Sequence, residues 1–232
     1  MKGLIMKKAL IVVTSNDALG NTGKKTGYYL PEVSHPYVVL KKAGYDVDFA
    51  SPLGGTAPMD PGNRDLSDAA NAALLSDEKA VTSLKNTLTP VQVDASAYEI
   101  IFFAGGMGTM WDFAQDVRLG ELAAKVYENG GTIAAVCHGP SALLSAKLSD
   151  GSHLLTGRNV AGFSNDEEVA AGHAGYMPYF LETSLKEIGA NYSKAPLWQE
   201  HVQVSGRLVT GQNPASAYGV AEQAVRVAAQ TL

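Results

Sequence analysis

The chain alternates short, almost continuous apolar runs with longer amphipathic stretches. The runs occupy residues 9–13, 47–50, 100–104 and 132–136, and three of the four lack the apolar–polar alternation of a half-exposed strand. Strands buried on both faces have this composition, and both faces are buried when helices cover a parallel sheet. The pattern therefore predicts an α/β fold of the flavodoxin-like kind, a doubly wound, mostly parallel sheet with helices on both faces.

The intervening segments predict the remaining elements. Helical periodicity falls at residues 38–42, 77–88, 117–128, 178–188 and 215–229, and Gly44, Gly130 and Gly189 stand just past three of these segments, as helix-ending glycines do. The turn Ser205-Gly206 predicts a small C-terminal hairpin, and residues 147–158 resemble a small hairpin or loop. Residues 51–75 are rich in Pro, Gly, Asp and Asn and predict a surface insertion with little core. We expect a single domain over residues 1–232, with residues 1–6 as a short extension.

Charge and cysteine content exclude several classes of protein. A net charge of -5 without a basic stripe argues against a nucleic-acid partner. A single cysteine cannot form an intramolecular disulfide, which suits a reducing compartment. Asn16 and Asp17 interrupt the first apolar run, so we expect neither a signal peptide nor a membrane span. The chain is therefore predicted to be cytoplasmic.

Cys137 is the most informative residue of the chain. It follows a predicted buried strand, and Gly139 and Pro140 predict a sharp turn into a helix. Such a junction lies at the carboxyl edge of the sheet, where open α/β folds bind ligands, and resembles a nucleophile elbow. A thiol at a helix N-terminus is favoured as thiolate. The alternative is that Cys137 is a small apolar core residue.

A thiolate needs a proton partner and donors for developing negative charge. His138 is the adjacent titratable group, although it could instead pack behind the turn. The loop after the third strand contains Gly106 and Met107, whose N–H groups could serve an oxyanion together with that of His138. Glu32, Glu167 and Glu168 stand at predicted helix starts, where acids ordinarily cap helices.

Metal ligands are not predicted, because the four other histidines show no ligand spacing and there is no second cysteine. They are His35, His153, His173 and His201. His35 precedes Pro36 near a helix start and is expected to be structural. Tyr28, Tyr29 and Trp111 could wall a pocket or pack in the core.

Several segments together resemble the ThiJ/PfpI superfamily of the class I glutamine-amidotransferase-like fold, and more closely its glyoxalase III and heat-shock chaperone branch. The most specific segments are Val-Cys-His-Gly-Pro at residues 136–140 and Thr-Gly-Gln-Asn-Pro-Ala-Ser at residues 210–216. Support comes from residues 25–32, 35–36, 46–49, 108–112, 156–157 and 162–163. The similarity runs from Lys7 to the C-terminus.

The resemblance implies roles for individual residues. Cys137 would be the nucleophile, His138 its general acid/base, and Glu168, or Glu167 in a shifted register, the acid that orients the imidazole. Glu32 would stand protonated beside the sulfur, because two like charges do not share a site. Gly106, Met107 and Trp111 would bind substrate or its oxyanion. Members of this branch often have His where this chain has Met107, so a polar side-chain contact is lost and a more apolar substrate is favoured.

The implied function is that of a glutathione-independent glyoxalase that converts methylglyoxal, or a related 2-oxoaldehyde, to D-lactate or the matching hydroxy acid. No cofactor is required, and the resemblance suggests a homodimer. The alternatives are a stress-response holdase acting on unfolded client proteins, a redox sensor or a deglycase-type repair protein. A cysteine amidase or peptidase is a weaker alternative, since glutamine amidotransferases take their histidine from a distant segment.

Overall fold

A six-stranded sheet forms the centre of the computed structural model, which describes residues 7–230; the predicted extension at residues 1–6 lies outside this range. Its strands are β1 (Lys8–Val12), β2 (Asp46–Ala50), β3 (Ile100–Phe103), β4 (Thr132–Val136), β7 (Val202–Ser205) and β8 (Leu208–Gly211), and a separate parallel pair is formed by β5 (Asn159–Val160) and β6 (Asn191–Tyr192). The order in the main sheet is β2-β1-β3-β4-β8-β7, and every pairing in it is parallel except that of β7 with β8. The predicted doubly wound, mostly parallel sheet is confirmed.

Helices cover both faces of the sheet. The helices are α1 (Leu30–Lys42), α2 (Ala69–Ser76), α3 (Glu78–Lys85), α4 (Thr109–Asp112), α5 (Val117–Glu128), α6 (Asn165–Ala170), α7 (Leu181–Glu187) and α8 (Ala217–Gln230). Ile11 of β1 packs with α1 and α8 in one core cluster, whereas its neighbours Leu10 and Val12 pack with α5 and α7 in the other. This two-sided burial explains why the strands are apolar at successive positions.

Two helical predictions need correction. Helix α1 begins at Leu30 rather than residue 38, because Pro31 fits the first turn, where its missing N–H is not needed. The helix predicted at residues 77–88 begins at Glu78 and ends at Lys85. Asp77 separates it from α2 and caps it by accepting hydrogen bonds from the N–H groups of Lys79 and Ala80.

The predicted surface insertion at residues 51–75 contributes to the core. Its last part lies in α2, where Leu74 is fully buried, and Ala57 is also buried in the same cluster. The buried Ser34 of α1 donates a 2.5 Å hydrogen bond to Asn71 of α2. Pro, Gly and Asp indicated irregular backbone correctly over residues 51–68, but irregular backbone does not exclude burial.

The predicted hairpin is present as β7 and β8, but it is not an appendage. Strand β8 pairs with β4 inside the main sheet, and only β7 is added antiparallel at the edge. Gly44, Gly130 and Gly189 have positive φ angles, as predicted for residues that end helices. Residues 147–158 form a loop that contains a β-bridge between Lys147 and His153.

No helix within residues 7–230 is long and apolar enough to cross a membrane.

Candidate active site

Cys137 lies on a sharp turn that begins where β4 ends. Its φ angle is 59°, a left-handed conformation that is costly for a residue with a side chain. Two hydrogen bonds hold it there: its N–H donates to the carbonyl of Gly211 (3.0 Å), and its carbonyl accepts from the N–H of Phe163 (2.8 Å). The sequence analysis attributed the sharp turn to Gly139. That glycine is instead required for packing, because a Cβ there would lie 2.2 Å from the carbonyl oxygen of Phe103.

His138 stands between the sulfur and a buried acid. Its Nδ1 lies 3.5 Å from Cys137 Sγ, and its Nε2 lies 2.5 Å from Glu168 Oε1. The ring of Phe163 packs against the imidazole with centroids 4.4 Å apart. Burial raises the pKa of Glu168, but hydrogen bonds and charges from His138 and His173 outweigh burial and hold that pKa at about 2. Glu168 is therefore an anion that keeps the proton of the imidazole on Nε2 and presents Nδ1 to the sulfur.

The structure distinguishes Glu167 from Glu168, the two adjacent acids that the sequence analysis considered as partners of the imidazole. Glu167 Oε2 accepts hydrogen bonds from the N–H and hydroxyl of Ser164 in a capping box at the start of α6. Its Oε1 accepts from the N–H of Trp198 (3.0 Å) and the amide of Asn213 (2.8 Å). Glu167 thus anchors neighbouring loops, and Glu168 is the acid in contact with His138.

Glu32 brings a second carboxyl group to the sulfur from the first turn of α1. It is fully buried, and a Cβ on Gly105 would lie 2.3 Å from Glu32 Oε2 and 3.0 Å from Cys137 Cβ, so both groups share one small space. Burial raises the pKa of Glu32 to about 8, and contacts with Cys137 and the Gly105 backbone offset only part of this effect. At neutral pH Glu32 is therefore mainly protonated.

The thiol of Cys137 differs from the expectation of a resting thiolate. Burial raises the pKa of the thiol, the charge of ionised Glu32 raises it further, and the N–H of His138 lowers it in part. The helix expected to favour the thiolate is a 3₁₀ segment, Gly139–Ser145, which is too short to offer much of a dipole. The prediction that the helix start lowers the pKa of this thiol is therefore wrong, because burial and Glu32 raise that pKa. A thiolate forms here when a neighbour accepts its proton, while Glu32 remains neutral.

A cavity of about 400 Å³ opens above Cys137. Its walls include both predicted oxyanion residues, Gly106 and Met107. Within residues 7–230, neither of their N–H groups donates a hydrogen bond to another residue. The remaining lining residues are Tyr29, Glu32, Asp60, Asn63, Cys137, His138, Phe163, Ala171, His173, Trp198 and Pro214.

The predicted contribution of Trp111 is wrong. Its ring packs against the loop of Gly20, where a Cβ would lie 3.0 Å from Trp111 Cζ2, and it does not line the cavity. Trp198 provides the indole instead, on a backbone with a φ angle of 63°. Of the two tyrosines, Tyr29 lines the cavity and Tyr28 is buried in the core.

Several lining residues were missed by sequence reasoning, among them His173, Trp198, Asp60 and Asn63. His173 Nδ1 lies 3.3 Å from Glu168 Oε2, so one carboxylate faces two imidazoles. These residues come from loops far apart in the chain, and no local pattern marked them. His35, expected to be structural, bonds to Asp68 Oδ2 (2.7 Å) and stacks on Tyr218. Within residues 7–230, no group of three or more His, Cys, Asp or Glu side chains could hold a metal ion.

Gly105 provides a test of the Glu32–Cys137 contact. Gly105→Ala is expected to lower the free energy of unfolding by about 1–3 kcal/mol and to displace the carboxyl group, because the new methyl overlaps Glu32 Oε2 and the carbonyl of Val136. Chemical denaturation measures the first effect, and the alkylation rate of Cys137 at several pH values measures the second. Gly175→Ala is the control, since a Cβ there meets nothing within 4 Å. Unchanged alkylation in Gly105→Ala would contradict the contact.

A mostly parallel sheet with a strained cysteine at the carboxyl end of β4, next to an imidazole–carboxylate pair, defines a flavodoxin-like protein with a candidate active site at this strand end. The chain belongs to the DJ-1/PfpI family, whose match covers residues 25–227. The predicted ThiJ/PfpI resemblance is thereby confirmed.

Similar proteins include glyoxalases. The chain is 34% identical over 235 residues to the glutathione-independent glyoxalase HSP31 of Saccharomyces cerevisiae, covering 94% of this chain and 97% of that protein. It is 31% identical to glyoxalase 3 of Candida albicans, covering 95% and 98%. The crystal structure of glyoxalase III from Candida albicans matches with a TM-score of 0.86 and 29% identity over 96% of this chain and 97% of that one. Rapid encystment protein REP24 of Francisella tularensis matches with a TM-score of 0.92 and 37% identity, covering 96% and 99%.

Proposed function

We propose that this protein is a glutathione-independent glyoxalase that converts methylglyoxal, or a related 2-oxoaldehyde, to the 2-hydroxy acid, with D-lactate as the product from methylglyoxal. The observation that carries the proposal is the position of Cys137 Sγ at a cavity floor, 3.5 Å from an imidazole that is itself held by Glu168. Relatives aligned over nearly their whole length are named glutathione-independent glyoxalases, which supports the same reaction here.

The first step joins the sulfur to the substrate. His138 Nδ1 accepts the proton of the Cys137 thiol, and the thiolate adds to the aldehyde carbon C1. The N–H groups of Gly106 and Met107 border the same cavity and stabilise the negative oxygen that forms on C1. The imidazolium returns its proton to this oxygen, which gives a hemithioacetal.

The second step moves hydrogen from C1 to C2. A base, His138 or ionised Glu32, removes the proton from C1, and the electron pair shifts to give an enediol when the C2 oxygen is protonated. Reprotonation at C2 with loss of the C1 hydroxyl proton yields a thioester of the 2-hydroxy acid. Glu32 suits this step because burial raises its pKa to about 8, so it exchanges protons near neutral pH.

Hydrolysis completes the cycle. Water attacks the thioester carbonyl, the C–S bond breaks, and the 2-hydroxy acid leaves while Cys137 regains its proton. The net reaction adds one water to the 2-oxoaldehyde. C1 is oxidised and C2 is reduced, so the substrate as a whole is neither oxidised nor reduced. Cys137 takes the place that the thiol of glutathione would occupy, so no soluble thiol is consumed.

The test measures lactate from methylglyoxal in buffer free of glutathione and other small thiols. We expect steady formation of lactate, and a stereospecific assay should identify the D enantiomer. Absence of lactate with correctly folded protein would overturn the proposal. A glyoxalase that needs added glutathione would overturn the role of Cys137.

Glu168→Gln is expected to lower kcat for methylglyoxal by roughly a hundredfold, with a smaller change in KM, because the neutral amide no longer stabilises the imidazolium that forms during thiol addition. Glu187→Gln, which removes an exposed carboxylate from α7, is the control and should keep wild-type kcat. Steady-state kinetics over a pH series would measure both. Wild-type kcat in Glu168→Gln would remove that residue from the mechanism.

We also propose a cytoplasmic homodimer, on the resemblance to the family and the single cysteine. Sedimentation equilibrium would show twice the 24.4 kDa chain mass for a dimer.

A further inference from the structure

The cavity is much larger than a three-carbon substrate requires. A volume of about 400 Å³ falls in the range of pockets that enclose drug-sized ligands. Its lining is also divided by chemistry. Phe163, Trp198 and Pro214 are apolar, whereas Tyr29, Asp60 and Asn63 are polar and neighbour one another. The N–H of Asn63 donates to the carbonyl of Asp60, and burial raises the pKa of Tyr29 while the charge of Asp60 raises it further. We refer to these last three residues as the polar wall, and methylglyoxal has no group that would use it once its two carbonyls are held at Cys137.

The polar wall is held rigidly against the reactive end of the cavity. The N–H of Tyr28 donates to the carbonyl of Pro58 (2.9 Å), and the N–H of Asp60 donates to the carbonyl of Tyr28 (3.0 Å). The approach is close because Gly27 lacks a side chain: a Cβ there would lie 2.1 Å from the carbonyl oxygen of Pro58. The segment that contains Asp60 is therefore a built part of the site.

Residues 27–29, here called the strap, pack just as closely on the loop of Gly106 and Met107, here called the oxyanion loop. A Cβ on Gly106 would lie 2.4 Å from the carbonyl oxygen of Gly27 and 2.6 Å from the N atom of Tyr29. Gly106 also has a φ angle of 109°, which strongly favours glycine. The polar wall, the strap of residues 27–29 and the oxyanion loop thus form one continuous backbone assembly.

Asp60 combines near-complete burial with spare hydrogen-bonding capacity. The residue is only 8% exposed. Its Oδ1 accepts from the N–H of Gly62 (2.9 Å), and its Oδ2 accepts from the hydroxyl of Thr26 (3.1 Å). Each carboxylate oxygen can accept a further hydrogen bond. A ligand with hydroxyl groups supplies such donors, and the carboxylate would repel an anionic ligand such as a phosphate ester.

Asn63 and Tyr29 extend the same surface. An amide both donates and accepts, and a phenol does the same, so neighbouring hydroxyls of a chain could be bound in turn. Phe163 and Trp198 line the same cavity with their ring centroids 5.9 Å apart, and they provide apolar surface for the C–H groups of such a chain. A neutral polyol tail matches both the polar and the apolar lining residues.

We propose that the site takes 2-oxoaldehydes that carry a neutral hydroxylated chain, of the kind derived from sugars, with the hydroxyls bound by Asp60 and Asn63. The inference rests on the proposed glyoxalase activity for the reacting end of the ligand. Asp60 and Asn63 then determine specificity, because they contact the part of the substrate that does not react.

Binding to an inactive protein separates this inference from the activity. Cys137→Ser combined with Trp111→Phe leaves Trp198, at the cavity wall, as the single tryptophan. Titration with 3-deoxyglucosone, a six-carbon 2-oxoaldehyde with three hydroxyls, should change the fluorescence of Trp198. The Kd for 3-deoxyglucosone should be at least about tenfold below the Kd for methylglyoxal. Adding Asp60→Asn, which keeps an acceptor for the N–H of Gly62, should raise the Kd for 3-deoxyglucosone about tenfold and leave that for methylglyoxal unchanged.

Asp94→Asn is the matched control. Asp94 also caps a three-residue 3₁₀ helix by accepting from the N–H two residues on, but it is exposed and outside the cavity. If Asp60→Asn folds poorly, Asn63→Ala provides an independent test, because it should also raise the Kd for 3-deoxyglucosone. Equal Kd values for the two dicarbonyls, or Kd values unmoved by Asp60→Asn and Asn63→Ala, would overturn the inference even if methylglyoxal is converted. Tight, Asp60-dependent binding without lactate formation would uphold it for the ligand and overturn the proposed reaction.

Discussion

Cys137→Ser is expected to lower kcat/KM for methylglyoxal by at least about a thousandfold, because a serine hydroxyl in the same place is a much poorer nucleophile and His138 alone does not ionise it. The loss should appear mainly in kcat, since the cavity walls that bind the substrate remain. Lactate formation without added thiols is the measurement. Thermal unfolding should change little, because serine is close in volume and takes the same turn.

The single cysteine makes the control simple. A thiol-selective alkylating reagent has Cys137 as its one cysteine target in this sequence, so loss of activity should follow loss of one thiol per chain. The alkylation rate should rise with pH, since burial raises the pKa of this thiol. Prior occupation of the cavity by substrate should protect the thiol. Equal turnover by wild type and Cys137→Ser would remove the covalent mechanism.

Glu32→Gln is expected to stabilise the protein while reducing its activity. The pKa of Glu32 rises from an ordinary value of 4.5 to about 8 on folding. The stabilisation from its neutral form is therefore complete below pH 4.5 and is lost as the pH rises to about 8. Glutamine stays neutral, so the variant should gain on the order of 2–3 kcal/mol over wild type near pH 7.5, and less at pH 5. Its kcat should fall by about a hundredfold or more because the amide cannot exchange a proton with the substrate in the second step.

Urea denaturation at pH 5, 6.5 and 8, compared with turnover at the same pH values, measures both effects. Glu121→Gln, in an exposed position of α5, should leave stability and its pH dependence as in wild type. A stability difference between Glu32→Gln and wild type that does not grow with pH would contradict the assignment of Glu32 as a neutral buried acid.

The fold could be predicted from the sequence because its determinants are local. Residues 9–13 and 100–104 are apolar at successive positions because both faces of the sheet are covered. Such a run can be recognised in the sequence without knowing which elements pack against it. The helix that contains Glu32 was predicted eight residues too short, because two prolines hide its periodicity. The burial of Leu74 within residues 51–75 could not be foreseen, since it depends on contact between α2 and α1.

The site was predicted where chemistry and turn geometry coincide, at Cys137 and His138. It was not predictable where long-range packing decides. Glu167 and Glu168 are adjacent and chemically identical. Only the orientation of α6 determines that Glu167 contacts Asn213 and Glu168 contacts His138. Trp111 and Trp198 were equally unpredictable, because a residue near an active-site loop in sequence can point away from it. The thiol pKa was misjudged because burial and the Glu32 carboxyl cannot be read from the turn itself.

The first turn of α6 connects two sides of the cavity through neighbouring carboxylates. Glu167 holds the backbone of Trp198, and Glu168 holds His138. A ligand that pushes the indole outward therefore pulls on the same helical turn that aligns the imidazole. Changing the Trp198 loop would therefore disturb the alignment of the base. Asp60 accepts its side-chain hydrogen bonds from Thr26 and Gly62, outside α6, so this scaffold should acquire new ligands more readily through changes at Asp60.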